Sequence, residues 1–114
     1  MHVIDLDKHT GNGRVHNLAG KRKGLDVRTS ERLDELDNAD APVQVIVPKH
    51  LYALSPSFFL GLFSRSLRHF ESKEAFLAHY KFIGTEQIKS QVHDGIADYF
   101  SAKDAIDVLL SEIK

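Results

Sequence analysis

A chain of 114 residues with 42% apolar and 27% charged side chains has the size and balance of one packed domain. It contains no cysteine, which removes disulfides, thiolate nucleophiles and thiolate zinc sites together. A formal net charge of −1 gives the whole molecule no electrostatic pull toward DNA or anionic lipid.

The longest unbroken apolar stretches are far shorter than a membrane span, and the first residues lack a basic region followed by an apolar one. A cytoplasmic protein is the expectation.

His2 to Leu6 alternates weakly and carries Val and Ile, which predicts a first strand. Thr10-Gly11-Asn12-Gly13 is a turn sequence, because Gly and Asn supply positive φ cheaply. Arg14 to Lys23 is polar and reads as loop, with Lys21, Arg22 and Lys23 placed between two glycines. A helix is expected from about Gly24 to Asp37, with Leu25, Val27, Leu33 and Leu36 on its apolar face. Asn38 to Pro42 ends it.

Val43-Gln44-Val45-Ile46-Val47 is short, β-branched and nearly all apolar, the profile of a strand buried in a mixed or parallel sheet. Pro48 closes it, and Leu51 to Leu54 runs onto a turn. Ser55 is a good N-cap and Pro56 suits the first helical position, so a central helix begins at Ser55-Pro56-Ser57-Phe58-Phe59. Apolar residues cover more than one of its faces, so it is either deeply buried or partly reserved for a partner. Phe58, Phe59, Leu60 and Phe63 are the expected partner-binding residues.

Ser72 caps a short helix, Lys73 to Tyr80, followed by a strand or extended bridge at Phe82-Ile83-Gly84. Thr85 caps a helix to about Phe100, and Ser101 caps a last one, Ala102 to Ile113. Its stripe is Ala105, Ile106, Leu109, Leu110 and Ile113. No repeat, linker or low-complexity segment divides the chain, so residues 1–114 read as one domain.

Catalytic signatures are missing. The seven histidines show no His-x-x-x-His spacing, so no metal site is expected. Ser57 opens a helix, but it is flanked by Pro56 and Phe58 and the glycines of a Gly-x-Ser-x-Gly nucleophile elbow are absent. The glycines at 11, 13, 20 and 24 fit neither a dinucleotide nor a Walker phosphate loop, so no cofactor is expected. Lys21, Arg22, Lys23 and Arg28 are candidate anion-binding residues, and they motivate a nucleic-acid or mobile-element accessory role as the alternative function.

From Gly24 to Phe100 the chain resembles the STAS-like proteins, relatives of the STAS domains of anti-sigma factor antagonists. The resemblance rests on a helix after a basic Gly/Arg-rich segment, the strand Val43 to Val47, the turn Leu54-Ser55-Pro56-Ser57-Phe58, and then Leu62-Phe63 and the aromatic segment Phe76 to Phe82. It implies a small mixed α/β fold, a sheet of about four strands with helices mainly on one side. It also implies a non-catalytic regulatory module that docks through its central helix onto a histidine-kinase-like ATPase or sensor. The apolar stripe of the last helix fits self-association and packing on the sheet equally well, so a monomer or weak homodimer is the expectation. Ser57 matches the family's phosphoacceptor, with Ser55 beside it as a second candidate. Departures from the pattern are Val47 or Pro48 at the acidic strand end, Phe58 for a glycine, and Gly61 for a helix glutamate.

Overall fold

A computed structural model of the chain describes the backbone of residues 2–113 and the side chains of residues 2–105. Strand β1 (His2–Asp5) is followed by a 3₁₀ turn, Leu6–His9, and then by β2 (Asn17–Leu18). Helices α1 (Lys21–Ser30) and α2 (Leu33–Leu36) lead to β3 (Val43–Ile46) and β4 (Ala53–Leu54). The central helix α3 (Pro56–Phe70), α4 (Lys73–His79), β5 (Tyr80–Ile83) and α5 (Glu86–Ile113) complete the chain.

The sheet departs from the expected mixed one. β1, β3 and β5 form a parallel sheet in that order, and β2 pairs in parallel with β4 as a separate two-stranded unit. The reason is connectivity: helices separate each sheet strand from the next, so no hairpin arises and each return is a crossover. The helices lie mainly against one face. Ile4, Val43, Val45 and Tyr80 share that face and are buried, whereas Val3, Lys81 and Ile83 on the other are exposed. Among the described residues no helix is long and apolar enough to cross a membrane.

The core closes around α3. Its expected start is present: Ser55 Oγ accepts from Phe58 N–H at 3.1 Å, and Pro56 takes the first helical position. Phe63 reaches the rings of Phe59, Phe76, Tyr80 and Phe82 at centroid distances of 5.3, 5.3, 5.3 and 5.5 Å. Phe58, Phe59 and Phe63 are 0, 2 and 1% exposed, and Leu60 is half-buried. The apolar excess of the central helix is therefore core, contrary to the expected partner surface. A helix covered by α1, α4 and α5 needs apolar side chains on several faces.

α1 lies unusually close to α3. A Cβ added at Gly24 would overlap the Phe58 carbonyl and approach Leu62 N to 2.8 Å, and one at Gly61 would overlap the Lys21 carbonyl. Gly61, a departure from the STAS-like pattern, is thus required by this backbone contact. At α5, the ring of Phe59 fills the space that a side chain at Gly95 would occupy.

Two helix boundaries also differ from expectation. The helix read from Gly24 to Asp37 begins earlier, at Lys21, and breaks where Arg32 takes a left-handed φ of 59°. The two helices expected after Thr85 form one continuous α5, because Phe100-Ser101-Ala102 holds no glycine or proline and serine alone does not stop a helix. Ala105 is exposed, and the stripe at Ile106, Leu109, Leu110 and Ile113 lies outside the described side chains.

Replacing Gly24 with Ala is expected to lower the unfolding free energy by about 1–3 kcal/mol, because α1 must move off α3. Urea unfolding with an unchanged slope checks this; a wild-type midpoint would contradict the contact.

Candidate functional site

β2 and β4 are only two residues long, yet they set the site. Their pairing aligns Asn17 with Ala53 and Leu18 with Leu54, so the residues that follow each strand emerge together. Those residues start α1 and α3. Ser55 N–H donates to the Leu18 carbonyl at 2.9 Å, and Gly20 N–H donates to Ser55 Oγ at 3.2 Å. One hydroxyl thus receives an N–H from the start of each helix.

The structure brings together two groups that are far apart in sequence. Ser57 is exposed on the first turn of α3, its hydroxyl 3.3 Å from Ser55 Oγ, while Ser55 is half-buried by its capping role. Lys21, Arg22 and Lys23, expected in a loop, are exposed on the first turn of α1 instead. Gly20 gives α1 no side-chain cap, and its N–H bond to Ser55 Oγ places the positive dipole end of α1 beside the same junction. A recess of about 250 Å³ adjoins it, bounded by Leu54, Ser55 and Pro56 on one side and Gln91, Asp94 and Gly95 of α5 on the other. Gln91 Oε1 accepts from Leu54 N–H at 2.8 Å and ties α5 to this edge.

Arg28 does not belong to an anion site. It is 4% exposed, and all five of its N–H donors are used. Nη1 donates to the Leu62 carbonyl and to Ser66 Oγ, both at 2.9 Å. Nε and Nη2 donate to Asp34 Oδ1 at 3.0 and 2.8 Å, and Nη2 also to Asp37 Oδ2 at 2.6 Å. Asp37 Oδ1 accepts from Ser66 Oγ at 2.6 Å and from the Tyr80 hydroxyl at 2.5 Å. Burial, reinforced by the bond to Asp37, raises the Tyr80 phenol far above its ordinary value, so it remains a donor. The break at Arg32 makes this possible. In an unbroken helix, residues 28 and 37 would stand about 13.5 Å apart along the axis.

The remaining exposed arginines beside α1 are matched by carboxylates. Arg22 lies 3.4 Å from Asp26, Arg32 lies 2.7 Å from Glu35, and Arg65 lies 3.8 Å from Asp34. That face has mixed charge, so it gives the nucleic-acid alternative no added support. At the C-terminal ends of β1 and β3, His50 Nε2 donates to Asp7 Oδ1 at 2.7 Å and His16 stacks on Tyr52. Among the described residues no group of three or more His, Asp or Glu is placed to hold a metal.

Sequence reading missed Asp37, Ser66 and the Gly20 amide. Ser66 stands one turn after Leu62, a spacing that puts it on a buried stripe of the helix, and this is the local sign of the first two. Comparisons with protein-family models, curated proteins and solved structures return no match.

Two outcomes are expected here. Replacing Arg28 with Met leaves the Asp37 carboxylate buried without its cation and should cost about 3–5 kcal/mol. Adding Asp37→Leu should then cost much less than the sum of the two single changes; additive losses in urea unfolding would contradict the pairing. The second concerns acid. The Arg28 hydrogen bond, and then its charge, hold Asp34 below its ordinary value of 3.8. A lowered folded pKa gives stability that is present above the ordinary value and lost as pH falls through the lowered one. Asp34→Asn should therefore flatten the acid limb of the stability profile, and an unchanged limb would count against this assignment.

Proposed function

We propose that this chain is a non-catalytic, STAS-like regulatory module that binds a histidine-kinase-like ATPase or related sensor and is switched by phosphorylation of Ser57. The observation that carries the reading is the exposed Ser57 hydroxyl at the junction of the α1 and α3 starts. In the transfer, the γ-phosphoryl of ATP passes to Ser57 Oγ, the hydroxyl proton leaves to a base on the kinase, and ADP departs.

The new dianion would sit where two helix dipoles are positive and Lys21, Arg22 and Lys23 begin α1. On its other flank it would meet Asp94, the one carboxylate lining the adjoining recess. Attraction on one side and repulsion on the other change the surface a partner meets. With Phe58, Phe59 and Phe63 in the core, the docking surface in this reading is the polar junction itself rather than an aromatic patch.

Protein isolated from its own cells is expected to carry one phosphate in a fraction of molecules, mapped to Ser57 and absent from Ser57→Ala. Affinity capture from the same cells should retain an ATPase of this type on the wild type, and Ser57→Asp should weaken that binding about tenfold or more. No phosphate, or phosphate retained in Ser57→Ala, would overturn the proposal.

A further inference from the structure

β5 is an edge strand, and its outer side is open. Val47 N–H donates to the Ile83 carbonyl at 2.8 Å, which sets the parity of the ladder. In a parallel ladder alternate residues turn both backbone groups to the same neighbour, so Lys81 and Ile83 serve β3 while Tyr80 and Phe82 face outward. Tyr80 N–H is used, donating to the Phe76 carbonyl at the end of α4. Among the described residues nothing takes the Phe82 N–H or carbonyl.

Beside this edge runs a recess of about 260 Å³ between β5, α4 and α5. Leu77, Phe82 and Val92 give it an apolar lining, and Lys81, Lys89 and His93 surround it with cationic or ionisable nitrogen. Lys89 meets a carboxylate only at 4.0 Å, from the exposed Glu86. Lys89, Val92 and His93 lie on the flank of α5 opposite Gln91, Asp94 and Gly95, so this recess and the one beside Ser55 occupy different sides of the helix.

We infer that the open edge of β5 docks an extended segment of a partner protein in which apolar and acidic residues alternate. The free backbone groups select a strand, since a helix has no outward N–H and carbonyl row to match them. Side chains on the inner face of the added strand enter the recess. Those on the outer face lie opposite Lys81, where an Asp or Glu makes a favourable cross-strand pair. A second copy of the same edge would bring like charges together, which disfavours self-pairing. This site is independent of Ser57 and adds a second contact to the same module.

Display of short randomised peptides against the whole chain tests it, with a Lys81→Glu, Lys89→Glu variant as the competitor; neither side chain is part of the core. Enriched peptides are expected to alternate apolar residues with Asp or Glu, to lose affinity about tenfold or more on the variant, and to slow exchange of the Phe82 amide. Ser57→Asp should leave that binding unchanged, which separates failure here from failure of the phosphorylation reading. No enrichment over the variant, enrichment of basic sequences, or an unaltered Phe82 amide would overturn the inference.

Discussion

A single buried guanidinium holds this fold in register. Arg28 comes from α1, accepts its counter-ion from the segment after α2, and donates to the backbone and a serine of α3, while Asp37 also receives the Tyr80 hydroxyl of β5. A charge removed from water is tolerable only when every donor is met, and here every donor is. The same holds for the Asp37 carboxylate, which accepts three hydrogen bonds. Such a pair adds little net stability over a well-packed apolar substitute, but it strongly penalises any arrangement in which one partner is missing. Its effect is to specify where α1 sits.

That placement has consequences at the opposite end of α1. The Gly24–Gly61 approach lets the two helix backbones nearly touch, and the Arg28 lock fixes their spacing one turn further on. The start of α1 is thereby brought to Ser55, whose hydroxyl serves both helices. Basic side chains that a linear reading assigns to a loop become the first turn of a helix adjoining a candidate phosphoacceptor. The aromatic residues of α3, meanwhile, are consumed by the core. In the proposed reading the docking surface is therefore the polar junction, and the hydrophobic interior is the scaffold that positions it.

The features legible in the sequence were those decided locally. Ser55 and Pro56 announce the start of α3 because capping and the N1 position involve only neighbouring residues, and Val43 to Ile46 announces a buried strand by its side chains alone. Features decided by distant partners were not legible. Nothing near Arg32 marks the left-handed break that turns Asp37 back onto Arg28. β2 and β4 are too short to show alternation, so the pairing that joins Lys21 to Ser57 left no pattern to find. Phe58, Phe59 and Phe63 looked like a surplus because the helices that bury them lie on either side in the chain, and their number can be judged only once all are in place.

Native-state hydrogen exchange on Asp37→Asn tests the central role of the buried lock most directly. Asn keeps the size of the side chain and removes the charge that Arg28, Ser66 and Tyr80 share. If the lock joins these elements, amides of α1, the second half of α3 and β5 will lose protection together by a common factor. If α1 alone loses protection while β5 and the Ser66 turn keep theirs, the lock does not couple them and the account is wrong.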